Sequence, residues 1–382
     1  MIKIIRDMEK MKEIESEWNE LSDSCQNKSV FQLYDWNFLW LKYFLGKKDS
    51  LYIIAVYNDA EELEAIAPFY TRKFLLFFKS LIFISSDYSD YLDVIIKKGA
   101  DTEKIYSEIF GEIVNNNPPH VFHLKQISGE LLDGIQKVSK TFGMKSAYKE
   151  SGDCYYFKLP DNIDDYMKRF NSKQRYNILS RVQKAEKNNI KFFGPGNIDK
   201  SLFNVYLNYF FDLHQKRWSK KGEKGVFYNK KIKSFFTDIF TALFNDNKLA
   251  LFFLRETSGC ASGNAVSSAV CFDYGNKRQV YLPGFDPEYS DYHPGIVLTY
   301  HIIKEAIEKK YEEFDFLKGG EDYKQRFGAV KRGNYKAYIY KYKIFFYAYK
   351  FALFTEKEIL GKLRGLRLFK ILDRIIFLCC IN

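Results

Sequence analysis

The sequence predicts an α/β protein built as two successive units, each a mixed β-sheet flanked by helices. Three observations carry this expectation. The chain has 382 residues, room for two ordinary domains. Stretches of period-two alternation are separated by stretches with apolar residues at helical spacing. The order of these stretches, two helices, several strands, a helix and a strand, occurs twice along the chain. No repeat is visible in the residues themselves, so the duplication is read from element order alone.

In the first half, residues 9–20 and 34–45 read as helices, the second crowded with Trp36, Phe38, Leu39, Trp40 and Phe44. Strands are expected at 50–57 (SLYIIAVY), 62–70, 74–84 and 91–96, then a helix near 102–115 and a strand at 120–125. "LPDNIDD" around Pro160 supplies loop and helix-start signals, which sets the units at 1–159 and 160–345. The stretch DDYMKRFNSKQRYNILSRVQKAEKNN is helical with a break near Asn171, where Ser172 caps a new start. A helix at 200–217 places Leu202, Tyr206, Tyr209 and Leu213 on one face. Another at 230–245 spaces Ile232, Phe235, Phe236, Ile239, Phe240 and Leu243 helically. Strands follow at 248–255, 264–273 and 278–284, a helix from 296, and strands at 313–317 and 336–345.

Composition narrows the partners. Hydrophobic residues make up 46% of the chain and aromatics 18%, enough for thick, ring-lined cores. A formal net charge of +11 favours anionic partners: nucleic acid, acidic lipid or a phosphorylated ligand. Cys25, Cys154, Cys260, Cys271, Cys379 and Cys380 lack metal-ligand spacing, as do His120, His123 and His301, so no metal is expected. The thiols read as reduced, in a cytoplasmic protein. The N-terminus lacks the apolar core of a signal peptide, and no stretch is long enough for a clean transmembrane helix.

The chemistry concentrates in YLPGFDPEYSDYHPGIVL, residues 281–298. Pro283 cannot donate to a sheet ladder and Gly284 weakens one, so the strand should bulge or splay there. Pro294-Gly295 then opens a helix whose first amides, at Ile296, Val297 and Leu298, suit an anion such as a pyrophosphate. A plain tight turn before a Pro-led helix reads the same residues equally simply. Downstream, in FDFLKGGEDYKQRFG, alternation puts Asp315 on the face opposite Phe314 and Phe316. Asp315 is either a structural hydrogen-bond acceptor or a base.

Taken in order, SKQRYNILSRVQKAEKNN (172–189), HQKRW (214–218), GFDPEYSDYHPGIVL (284–298) and FDFLKGGEDYKQRFG (314–328) resemble the BioF2-like (CelD-like) acetyltransferases of the GNAT superfamily, related to the FemAB peptidyltransferases. YSDYLDVII (88–96) resembles the same family's N-terminal half. His293 and Phe327 depart from it, standing where a small polar residue and a Trp are usual. The resemblance implies two tandem GNAT-like domains, with acyl-CoA (acetyl-CoA) as co-substrate. The pantetheine would lie between two splayed strands and the pyrophosphate on the helix that follows. Leu282, Gly284, Phe285, His293, Gly295, Ile296, Val297 and Leu298 would then form the cofactor site. Backbone amides near Leu282 or Gly284 would polarise the thioester, Asp315 or Glu321 would accept the amine proton, and Tyr323 would reprotonate the thiolate.

Ser172, Arg175, His214, Trp218 and Lys324 are the candidates for holding the acceptor, an amine on a sugar, a lipid precursor or an amino-acid-like molecule. The family context implies envelope polysaccharide or glycolipid synthesis. A FemAB-like donor, aminoacyl-tRNA, and a non-catalytic binding protein on the same fold are the alternatives. From about Phe346 the chain mixes apolar residues with Lys350, Lys357, Lys362, Arg364, Arg367, Lys370 and Arg374. This 346–382 extension fits a basic amphipathic helix on an anionic membrane, or a helix packed on the body.

Overall fold

A computed structural model describes residues 1–74, 78–116, 118–257, 264–319 and 323–365. The chain divides into two compact units, Met1–Ser151 with Gly333–Asn382, and Gly152–Arg332. It opens with β1 (Ile2–Ile5), α1 (Met8–Glu13), α2 (Glu15–Ser24) and α3 (Tyr34–Phe44). Next come β2 (Asp49–Tyr57), β3 (Leu63–Phe74), β4 (Phe78–Phe83), β5 (Ile95–Ile96), α4 (Thr102–Asn116), β6 (Val121–Ile127) and α5 (Gly129–Thr141). Strand β7 (Lys145–Lys158) carries the chain into the second unit, with α6 (Ile163–Lys168), α7 (Ser172–Lys187), β8 (Ile190–Phe193), α8 (Phe203–Lys220) and α9 (Lys230–Asn245). There follow β9 (Leu249–Glu256), β10 (Asn264–Tyr274), β11 (Lys277–Phe285), α10 (Pro294–Glu308), β12 (Glu313–Lys318) and the single turn α11 (Tyr323–Arg326). β13 (Val330–Tyr340) leads back to the first unit, and α12 (Lys343–Gly365) follows it.

The expected boundary near Pro160 moves to Gly152, inside β7, whose later residues pair with β12 of the second unit, Lys158 opposite Glu313 and Phe157 opposite Phe314. Residues 333–345, assigned from sequence to the second unit, belong to the first. There β13 pairs with β6, Tyr338 opposite His123 and Ile339 opposite Phe122. The strand expected at 336–345 also starts earlier, at Val330, and yields to helix by Lys343.

Both units repeat one topology. In the first, β2, β3 and β4 form an antiparallel meander, and α4 crosses over to β6, parallel to β4 at Ser80↔Val121. In the second, β9, β10 and β11 form the meander, and α10 crosses to β12, parallel to β11. The sheet order in the second unit is β7-β12-β11-β10-β9-β8. This is a GNAT-like mixed sheet, once per unit.

Alternation sets the layers of the second unit. Phe314 and Phe316 point into a core shared with Phe157, Tyr166, Phe252, Ile178 of α7 and Ile303 of α10. On the other face, Phe272 and Tyr281 meet the ring-rich helices, Tyr281 lying 6.0 Å from Phe236 and 6.3 Å from Phe240. The high aromatic content thus fills a sheet–helix interface.

Candidate active site

β11 and β12 begin side by side and then separate. Their parallel pairing runs Lys277↔Glu313, Arg278↔Phe314, Gln279↔Asp315 and stops, although β11 continues to Phe285 and β12 to Lys318. Each strand carries its own reason to turn away. On β11 the register with β10 slips between Val270↔Leu282 and Cys271↔Val280, leaving Tyr281 as an extra residue. Such a bulge bends its strand and increases the twist. Rings of Phe272, Phe236 and Phe240 hold Tyr281 in place. On β12 the register with β7 breaks after Asp315, and Leu317 adopts a left-handed φ of 54°. The carboxylate of Asp315 accepts the Leu317 amide at 2.6 Å and so fixes that conformation.

The break therefore falls at Tyr281, not at the Pro283-Gly284 pair the sequence pointed to. Both Pro283 and Gly284 stay in register with β10, opposite Ala269 and Ser268. Gly284 answers a packing demand instead, since helix α8 passes directly over it. A Cβ there would lie 2.5 Å from the His214 amide nitrogen and 2.8 Å from the Leu213 carbonyl carbon. Both are backbone atoms, which cannot swing aside. Gly284→Ala is expected to cost about 1–3 kcal/mol, and urea denaturation with an unchanged midpoint would contradict this.

A cavity of about 310 Å³ is bordered by Lys173, Asn177 and Arg181 of α7, Ile296 of α10, and Tyr323 and Arg326 of α11. Three of these six are cations. Helix α7 presents Lys173, Asn177 and Arg181 as a stripe because residues four apart share a face. Its start is fixed by Asn171, which accepts the Gln174 amide at 2.9 Å while the Gln174 side chain accepts the Asn171 amide at 3.2 Å. Asn171 is the cap, and Ser172, expected in that role, is the first helical residue. The stripe also reaches the start of α10: burial, then the charges of Arg181 and Lys184, hold the His293 pKa below the usual imidazole value. Lys184 donates to the Asp291 carbonyl at 3.1 Å.

The first turn of α10 offers less than expected. His293 is left-handed (φ 49°), and its carbonyl accepts both the Ile296 amide (2.9 Å) and the Val297 amide (3.3 Å). Leu298 is buried in the helix proper. Pro294 has no N–H, so the open donor of this turn is Gly295, where a Cβ would meet nothing within 4 Å.

The remaining candidates separate clearly. Asp315 is fully buried, and its second oxygen accepts Arg332 at 3.3 Å. Arg332 also forks onto Glu313 (3.0 and 2.7 Å) and lies 3.6 Å over the Tyr156 ring. Of the two readings of Asp315, this geometry supplies the structural one. Lys324 does not reach toward an acceptor; its buried ammonium donates to the carbonyls of Phe316 (3.2 Å) and Leu317 (3.4 Å), on the parted end of β12. Tyr323 borders the cavity with its ring edge-on to Phe316. Glu321 lies outside the described residues.

Ser172 and Arg175 occupy the side of α7 away from the cavity stripe, where Lys173, Asn177 and Arg181 stand instead. The spacing of four between those three was the available signal, hidden among many surface lysines. His214 is buried against Phe227, and Trp218 donates its indole N–H to His214 Nε2 at 3.0 Å. Burial and then Arg217 bring the His214 pKa down to about 4. This pair belongs to the packing of α8 and not to the cavity. Phe285 is half-buried under the Arg217 guanidinium, which also donates to the Pro283 carbonyl at 3.3 Å. No group of His, Cys, Asp or Glu among the described residues could hold a metal ion.

Residues 172–325 match the family model of the acetyltransferase (GNAT) domain. They include the parted strands, α10 and the α7 border of the cavity, but stop one residue short of Arg326. Among solved structures, FemX superposes with a TM-score of 0.61 at 15% identity, covering 85% of this chain and 95% of that one. The C-terminal domain of a putative lysylphosphatidylglycerol synthetase from Agrobacterium fabrum gives 0.53 at 10%, covering 86% and 92%. L-PGS from Bacillus licheniformis gives 0.51 at 12%, covering 87% and 91%. At these identities the likeness is one of fold. No curated protein sequence matches the chain.

Proposed function

We propose that this GNAT-type acyltransferase domain moves an acyl group from acyl-coenzyme A to an amine acceptor. One observation carries the donor: two strands part at Gln279/Asp315 in the unit whose cavity is bordered by the cations Lys173, Arg181 and Arg326. The unpaired edge of β11 offers backbone groups to an extended pantetheine arm, as a neighbouring strand would. The three cations, with the Gly295 amide, suit a diphosphate.

In this reading the amine attacks the thioester carbonyl carbon, and an amide of Leu282 or Gly284 stabilises the oxyanion. Collapse expels the thiolate, which takes a proton from Tyr323 at the cavity edge. Glu321 is assigned the ammonium proton, because Asp315 is already held by the Leu317 amide and Arg332. The acceptor is an amine on a sugar or lipid precursor, in a cytoplasmic envelope-building step. The family resemblance is the support for that context.

A second donor, aminoacyl-tRNA, is supported by the net charge of +11 and by the resemblance to the FemAB peptidyltransferases. Thermal shift separates the two. Acetyl-CoA at a hundred times its Kd should stabilise the protein by about 2.7 kcal/mol. Arg181→Glu should weaken that binding by about tenfold or more, through lost attraction and added repulsion. Stabilisation by charged tRNA with none by acetyl-CoA would overturn the acyl-CoA reading.

A further inference from the structure

Helix α12 presents apolar residues in two directions. One side is accounted for: Tyr349 is buried, hydrogen-bonded to His123 Nδ1 at 2.7 Å, and packs with Tyr338 and Phe74. On the other side Ile344, Tyr347, Phe351 and Phe354 are exposed by 67, 62, 63 and 60%. Steps of three, four and three residues place them within an arc of about 80° on a helix. A folded protein scatters exposed hydrophobics singly; a continuous stripe on one helix face marks a contact surface.

Charge identifies the partner. Lys343 and Lys350 border the stripe, and both are exposed. From Lys343 to the end, the sequence has eight Lys or Arg (343, 350, 357, 362, 364, 367, 370 and 374) against three acids (356, 358 and 373), an excess of five positive charges. A second copy of the same face would set these cations against each other. An anionic bilayer would draw them in while its interface takes up the rings. No described helix is long and apolar enough to cross a membrane, so the contact is peripheral.

We propose that the Ile344–Tyr347–Phe351–Phe354 face of α12 lies in the interface of a membrane rich in anionic phospholipid. The proposal stands apart from the donor reading, since none of these residues borders the cavity.

The test is co-sedimentation of the full chain with vesicles of phosphatidylcholine alone or mixed with phosphatidylglycerol. Binding should be about tenfold stronger to the mixed vesicles and fall as salt is raised. The double variant Phe351→Glu/Phe354→Glu should lose about tenfold of it while keeping the wild-type melting curve and acetyl-CoA response, because both positions are exposed. Equal binding to the two vesicle types, no binding, or an undiminished double variant would overturn the proposal. So would a wild-type dimer that the double variant dissociates, which would give the face to a second copy.

Discussion

Arg278→Met should destabilise the second unit by about 3–5 kcal/mol, the cost of breaking a buried ion pair from one side. Arg278 is fully buried at the base of β11. Its Nε and Nη2 donate to the two carboxylate oxygens of Asp273 at 2.8 and 2.6 Å, and Nη1 donates to Glu305 of α10. Rings of Phe252 and Tyr311 lie 4.8 and 5.0 Å from the guanidinium. Methionine can fill much of the volume, so the loss is chiefly electrostatic. Glu305 retains Lys309 at 2.8 Å, whereas Asp273 loses both of its guanidinium hydrogen bonds.

Position makes this residue matter for the site as well. Arg278 sits opposite Phe314 in the short paired segment, one residue before β11 and β12 part. It joins β10, β11 and α10 just below the opening. If the proposed acyl-CoA donor is right, the variant should also weaken acetyl-CoA binding, whereas Arg278→Lys, which keeps one charge without the fork, should recover part of the stability. Urea denaturation of the full chain measures the stability of both variants, and thermal shift with acetyl-CoA measures the binding. A loss below about 1 kcal/mol for Arg278→Met would mean that Asp273 finds water or another cation at little cost.

How far the sequence could anticipate these features depends on the physical signal each one leaves. Helix α9 and strands β9 to β11 were legible because their apolar residues repeat at 3.6 or 2. Strand β7 was not: KSAYKESGDCYYFK is half exposed, with no apolar face for alternation to mark. The short β5 was overcalled, since only Ile95 and Ile96 find partners on β3. The face of Asp315 was read correctly, but its chemistry was not available. Arg332, which occupies its second oxygen, lies 17 residues away, and nothing local links them. Lys324 illustrates the opposite error. It read as a cation for holding the acceptor, yet the one-turn α11 points it at two carbonyls left without strand partners. The Tyr281 bulge was likewise invisible, because register depends on the neighbouring strand.

The other large effect belongs to the first unit, where Asp93→Asn should remove a pH dependence of stability. Asp93 Oδ1 accepts the Val94 amide (2.8 Å) and the Tyr106 hydroxyl (3.3 Å), and Oδ2 accepts the Ser128 hydroxyl (2.8 Å). It thereby ties the approach to β5 to α4 and the start of α5. These donors favour the charged form, but burial outweighs them and raises the pKa from 3.8 to about 7. The nearby charge of Glu130 adds to the effect of burial.

The folded state therefore holds a proton that the unfolded chain has released between about pH 4 and pH 7. Stability from Asp93 is complete below its unfolded pKa and is lost as pH rises through 7. At about 1.4 kcal/mol per unit, the shift corresponds to up to about 4 kcal/mol across that window. Asparagine keeps an acceptor for Val94 and Tyr106 without the charge. Melting temperatures of wild type and variant, compared from pH 4 to pH 8, cancel the contributions of every other group. The variant should gain on the wild type steadily through this range and be the more stable above pH 7. Parallel profiles would show that Asp93 stays ionised in the fold, with water or a cation reaching it, and would remove the buried-acid account of this junction.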